Sequence, residues 1–201
     1  MANQGEGIVG VIRTQNSEHA YLVAKAWAAT PISKIEITLT VPNAVATIKR
    51  LVDEGVTRIG GGTVRTVDQV RELKKAGAQF VVSPISNERV IKETVNLGME
   101  ATPGILTPTE AINAIEWGAS SVKIFPINSV GGSDYVRYIL EPLPDLKIVV
   151  SGGVKTSEVR EYLDLGCVGV CLGGALWREE TAASGDVNKL INEAKEALSK
   201  I

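Results

Sequence analysis

Of the lysines in this chain, Lys123 alone sits inside an apolar run, Val122-Lys123-Ile124-Phe125-Pro126; Lys34 and Lys147 open such runs, and the others fall on helices or turns. Burial at such a place disfavours the ammonium form and leaves a free amine, the nucleophile that attacks a carbonyl to form a Schiff base. A lysine so placed can also be held by an acid for structural reasons, or extend its amine to a wet rim. Glu36 is an acid in a matching setting, flanked by Ile35 and Ile37. Once a ketimine exists, aldol cleavage needs a base for the substrate hydroxyl and later an acid for the enamine carbon, and one carboxyl can do both. Its plainer role is counter-ion of the amine, and sequence position does not separate the two. Thr38, Thr40 and Thr63 bring hydroxyls to the same region, where they can touch a substrate or satisfy buried backbone groups.

Two glycine pairs suggest a place for an anion. Ser151-Gly152-Gly153-Val154 and Leu172-Gly173-Gly174-Ala175 each end an apolar run, and glycine lets backbone N–H groups approach a phosphate closely. A pair alone usually marks a tight turn; two in corresponding places favour an anion site. Gly60-Gly61-Gly62 reads as close approach around a substrate, or as a bend. Arg13 can receive a carboxylate in a bidentate fork or serve in a surface ion pair. The lone histidine, His19, and the tryptophans Trp27, Trp117 and Trp177 read as surface or packing residues.

These residues need a frame, and the periodicity supplies one. Short β-branched runs at Ile8 to Arg13, Lys34 to Thr40, Thr57 to Thr63, Gln79 to Pro84, Glu100 to Gly104, Ser121 to Pro126, Lys147 to Gly152 and Val168 to Gly173 read as strands, each followed by apolar residues at helical spacing. Helix starts are signalled at Asn16-Ser17, Thr66, Ser86-Asn87, Thr107-Pro108 and Thr156-Ser157, and stops at Gly55, Gly77, Gly98, Gly118 and Gly166. Such alternation predicts an α/β fold with a parallel sheet, and eight units close into a (β/α)₈ TIM barrel spanning residues 1–201. A doubly wound open sheet is the alternative, but its strands are apolar throughout, whereas Lys34, Glu36, Thr38 and Thr40 alternate with Ile35, Ile37 and Leu39. In a barrel, chemistry gathers at the C-terminal strand ends, where the residues above fall.

Bulk properties narrow the partners. The 201 residues are 44% hydrophobic and 22% charged with net charge −2, which suits a globular chain and offers no basic stripe for nucleic acid and no polybasic face for a membrane. Met1 to Gly7 lacks the pattern of a secretory signal, and no run is long enough to cross a bilayer. Cys167 and Cys171, four apart, with a single histidine, make a poor metal set. A cytoplasmic protein with buried thiols, no metal and no cofactor is expected.

The motifs Ile35-Glu36-Ile37-Thr38, Gly60-Gly61-Gly62-Thr63-Val64, Val82-Ser83-Pro84, Pro103-Gly104-Ile105-Leu106-Thr107-Pro108-Thr109-Glu110, Val122-Lys123-Ile124-Phe125-Pro126 and Ser151-Gly152-Gly153-Val154 run in an order that resembles the 2-keto-3-deoxy-6-phosphogluconate (KDPG) and 4-hydroxy-2-oxoglutarate aldolases, from about Ile8 to Trp177. The resemblance implies Lys123 as Schiff-base lysine, Glu36 as acid and base, Thr63 and Pro84 at the pyruvate end, Gly152, Gly153, Gly173 and Gly174 at a phosphate, and a homotrimer. Thr38 and Ser151 join the expected substrate contacts. This sequence departs from many members at Thr40, where they have an arginine for the pyruvate carboxylate; Arg13, which resembles an arginine that other members carry on strand one, is the candidate for that role. It departs again at Gly174, where many have serine, and before strand one, where the usual helix is nearly absent. The expected activity is metal-free cleavage of a 2-keto-3-deoxy-6-phosphosugar acid to pyruvate and glyceraldehyde 3-phosphate. Its rivals are the galactonate epimer or unphosphorylated 4-hydroxy-2-oxoglutarate as substrate, a phosphate-binding barrel isomerase or synthase, and a non-catalytic module that keeps the site.

Overall fold

The computed structural model describes residues 5–201. Its strands are β1 (Ile8–Ile12), β2 (Lys34–Thr38), β3 (Ile59–Gly62), β4 (Phe80–Val82), β5 (Glu100–Thr102), β6 (Gly104–Ile105), β7 (Val122–Ile124), β8 (Ile148–Val150) and β9 (Gly169–Leu172). The helices are α1 (Ser17–Ala28), α2 (Ala44–Asp53), α3 (Val67–Lys75), α4 (Glu88–Asn96), α5 (Pro108–Glu116), α6 (Ser133–Leu140), α7 (Val159–Asp164), α8 (Glu179–Ala183) and α9 (Val187–Leu198).

Four of the five signalled helix starts act as caps. Asn16 accepts from the N–H groups of Glu18 and His19, Asn87 accepts from Val90, and Thr66 with Gln69 and Thr107 with Glu110 form reciprocal capping boxes. Each such cap is worth about 1 kcal/mol. The fifth needs correction: Thr156 opens a 3-10 turn, Thr156–Glu158, and no side chain caps α7 behind it. The glycines expected to stop helices all turn left-handed.

Every strand pairing is parallel, in the order β5-β4-β3-β2-β1-β9-β8-β7-β6. The fifth strand, expected unbroken over Glu100 to Gly104, is two pieces, because Pro103 between them has no N–H to give a ladder. Its first piece bonds to β4 and its second to β7, while the Pro103 carbonyl accepts from Lys123 N at 2.7 Å, so the sheet closes into a barrel. The other strands also end sooner than the alternation suggests. Pro84 and Pro126 cannot donate to a ladder, and Thr63 and Gly152 turn to φ of 60° and 105°, so apolar–polar alternation outruns the hydrogen bonding. Arg13, Thr40, Thr63, Pro84, Gly152 and Gly173 thus stand on the loops just past their strands.

The main core lies between strands and helices. Ile35, Ile37, Ile59, Leu73, Val122 and Ile124 are fully buried there, each burial contributing about 1.5–3 kcal/mol. A smaller cluster of Val9, Val11, Val149 and Cys171 fills part of the lumen. Around the outside, α9 packs on α1 beside α2.

Candidate active site

Alternation in β2 and β7 sends Ile35, Ile37, Val122 and Ile124 into the outer core and leaves Glu36 and Lys123 for the lumen. Glu36 is 3% exposed and Lys123 7%. Burial pushes the Glu36 carboxyl above the usual carboxylate range, and the positive charges of Lys123 and Arg13 offset this in part. Its Oε2 is buried with no hydrogen-bond partner, and no ion pair among the described residues joins it to Lys123. A buried carboxyl left unsatisfied this way is free to exchange a proton with a molecule entering the lumen. The Lys123 amine stands 5.3 Å from the centroid of the Phe125 ring, within reach of its quadrupole.

Three glycines make room around this pair. A Cβ on Gly60 would lie 2.4 Å from the Phe80 carbonyl, one on Gly61 2.4 Å from Leu73, and one on Gly62 1.8 Å from Glu36 Oε1. The triplet is therefore neither a bend nor a substrate wall alone: β4, α3 and the Glu36 carboxyl occupy the three vacated spaces. Next to it, Thr63 holds φ of 60°, a left-handed conformation that a β-branched residue adopts only under strain from its surroundings.

At the C-terminal ends of β1, β8 and β9 a cavity of about 340 Å³ is lined by Arg13, Ser151, Gly152, Gly153, Gly173 and Gly174, with Val11, Val154, Ala175 and Trp177. Its inner wall is Cys171, whose thiol feels the charges of both Glu36 and Lys123 and is pushed up by burial to about 12, too high for a nucleophile. The N–H groups of Gly152, Gly153, Val154, Gly173, Gly174 and Ala175 have no hydrogen-bond acceptor among the described residues, which leaves six donors around one concavity. Such a nest of backbone N–H groups suits an anion. Arg13 is exposed at the same mouth and enters none of the ion pairs among the described residues, unlike Arg50, Arg71 and Arg137.

Thr38 ends β2, and Thr40 and Pro84 stand two residues past β2 and β4. The Thr38 hydroxyl is buried and donates to the Ile12 carbonyl at 3.2 Å, and Thr40 donates to Thr38 at 2.8 Å. Both protons are thus engaged within the protein, and Thr38 braces β2 against β1. Pro84 lies past β4, its carbonyl 2.4 Å from where a Gly104 Cβ would stand, so that glycine lets the two strand ends meet. His19 is half-buried and joins Glu179 at 2.5 Å. Surface grooves elsewhere, such as one of about 740 Å³ between α2 and α3, contain none of the candidate residues. Among the described residues no group of three metal-ligating side chains occurs.

Val154 and Ala175 were invisible in the sequence because they contribute only backbone N–H groups. Gly62 was visible as a glycine, but its partner was not.

A parallel (β/α)₈ barrel with a buried amine and an unpartnered carboxyl beneath an anion-ready mouth is the frame of a carbon–carbon lyase. The model of the family "KDPG and KHG aldolase" matches residues 3–192. The KHG/KDPG aldolase of Escherichia coli K12 is 32% identical over 193 residues, covering 95% of this chain and 90% of that protein. The 2-dehydro-3-deoxy-6-phosphogalactonate aldolase of the same organism is 33% identical over 174 residues, covering 85% and 84%. A solved structure described as native KDPGal superposes with a TM-score of 0.78 at 30% identity, covering 96% of each chain. This chain belongs to the KDPG and KHG aldolase family.

Proposed function

We propose that the protein is a class I aldolase cleaving KDPG reversibly to pyruvate and glyceraldehyde 3-phosphate through a Schiff base on Lys123. The carrying observation is the buried Lys123 amine beside a Glu36 carboxyl with an oxygen left unbonded. The amine adds to the C2 carbonyl of the substrate, and water leaves to give the ketimine. Glu36 takes the proton of the C4 hydroxyl, the C3–C4 bond breaks, and its electron pair passes into the iminium to form an enamine while the aldehyde departs. Glu36 then returns the proton to C3, and water hydrolyses the imine to release pyruvate. A carboxyl whose affinity for protons is raised by burial suits both halves of that cycle.

Arg13 takes the substrate carboxylate, Thr63 and Pro84 line the pyruvate end, Ser151 contacts the substrate chain, and Gly152, Gly153, Gly173 and Gly174 hold the phosphate. Cleavage of the galactonate epimer is the second reading, since the curated relatives divide between the two compounds. The buried thiols Cys167 and Cys171 fit a cytoplasmic enzyme, and the family resemblance extends the proposal to a homotrimer.

Borohydride reduction in the presence of pyruvate, with mass mapping of the adduct, tests the assignment. Addition to Lys123 alone, with cleavage unaffected by chelators, is the expected result. Labelling at another residue, or activity abolished by chelator, ends the class I reading.

A further inference from the structure

The loop that carries the first glycine pair is held from behind by the loop that follows the lysine strand. Ser151 O accepts from Ile127 N at 2.9 Å, Gly152 O from Asn128 N at 3.5 Å, and Gly153 O from the Asn128 side-chain Nδ2 at 2.7 Å. A trans peptide points its N–H opposite to its C=O. Turning these three carbonyls toward residues 127–128 therefore turns the N–H groups of Gly152, Gly153 and Val154 away from them. Ile127 and Asn128 are not part of the mouth cavity, whereas Gly152, Gly153 and Val154 line it, so the N–H groups are aimed into it. Of the three bonds, two are backbone bonds that any residue would make; the third depends on the amide of Asn128.

We propose that Asn128 is a positioning residue that sets the preference for phosphorylated substrates: its amide fixes the Gly153 carbonyl outward so that the Val154 N–H completes the anion nest. The inference rests on the aldolase reading and deepens it. Asn128 is exposed and does not line the cavity, so its influence passes through the loop. A Cβ on Gly153 would fall 2.9 Å from Asn128 Nδ2, and φ at Gly153 is +84°, so glycine there and asparagine opposite it form one fitted unit. The same three bonds tie the loop after β7, which bears Lys123, to the phosphate loop. They thereby fix the span between the carbon that joins the lysine and the phosphate at the far end of the substrate.

The experiment compares wild type with Asn128→Ala and the isosteric Asn128→Asp, which accepts a hydrogen bond but cannot donate one to Gly153. Three quantities are read: inhibition by inorganic phosphate, KM and kcat for KDPG, and borohydride trapping of pyruvate on Lys123. In Asn128→Ala, the inhibition constant for phosphate and the KM for KDPG rise about fivefold, the loss of one net hydrogen bond. In Asn128→Asp they rise further, since the carboxylate also repels the anion. Trapping and kcat stay within twofold in both, and thermal melts verify that both fold. If phosphate inhibits wild type and Asn128→Ala equally, the role of Asn128 is overturned while the nest stands. If phosphate inhibits neither and KDPG is not preferred to 4-hydroxy-2-oxoglutarate, the nest itself is overturned and Asn128 with it. If trapping on Lys123 fails in wild type, the aldolase reading has failed instead. A fall in kcat with KM unchanged contradicts a positioning role at the phosphate.

Discussion

Replacing Gly62 by alanine tests whether Glu36 works from the place the fold gives it. The new methyl carbon would lie 1.8 Å from Glu36 Oε1, and methyl carbons essentially never approach a heavy atom within 3.0 Å, so the carboxyl must retreat by at least about 1.2 Å. Backbone strain is not at issue, since Gly62 is not among the glycines with positive φ. The end of a glutamate chain can move, so the protein should fold, but a displacement near 1 Å at a reacting group costs about 10² in rate. That corresponds to about 2.7 kcal/mol of transition-state stabilisation. Steady-state cleavage, followed by pyruvate release, should show kcat lowered about a hundredfold with KM little changed, while pyruvate is still trapped on Lys123. Glu36→Asp, which draws the carboxyl back by one methylene, should cost less in the Gly62→Ala background than alone, because the two changes share one contact. A Gly62→Ala enzyme within fivefold of wild type, or strictly additive effects in the pair, would refute the argument that this carboxyl must sit over β3 to act.

Glu36→Gln should abolish most cleavage yet stabilise the fold at neutral pH. A carboxyl raised by burial gives its full stability below the usual carboxylate range, and that contribution is lost as pH rises through the raised value, whereas glutamine does not titrate. Thermal melts from about pH 4 to 8 should show the variant's advantage growing with pH; a wild type as stable as the variant at the alkaline end would contradict the burial argument. At Gly174 a Cβ would meet nothing within 4 Å, and φ there is not positive, so serine should be tolerated. Gly174→Ser should raise kcat/KM for KDPG about tenfold by adding one hydroxyl donor to the phosphate, and leave 4-hydroxy-2-oxoglutarate unchanged; an equal change for both substrates would separate this loop from the phosphate.

Much of the frame was readable because each βα unit announces itself locally. The apolar run around Lys123 and the alternation around Glu36 are properties of five or seven neighbouring residues, and Thr66 and Thr107 box their own helix starts within three. What stayed hidden depends on residues far apart in the chain. The alternatives for Gly60-Gly61-Gly62 could not be separated without knowing that Phe80, Leu73 and Glu36 are the neighbours. Whether Arg13 was spent in an ion pair required the positions of the acids, and whether the Thr38 hydroxyl was available depended on the Ile12 carbonyl of the adjacent strand. The broken fifth strand could have been suspected from Pro103, but not that each half would bond to a different neighbour.

The closing seam of the barrel has a consequence for how the chain is made. β1 pairs on one side with β2, within the first forty residues, and on the other with β9, where Ile8 meets Val170 and Gly10 meets Leu172. During synthesis the first strand therefore waits, with one row of backbone donors and acceptors unpaired, until the chain has grown past residue 172. α9, which packs across α1, follows later still. A nascent chain of six or seven βα units has its hydrophobic repeats in place and two open sheet edges, the state most prone to pair with its neighbours. Premature termination anywhere before β9 should accordingly yield aggregates rather than a smaller working barrel, and full-length chains should acquire protease resistance in one late step instead of unit by unit.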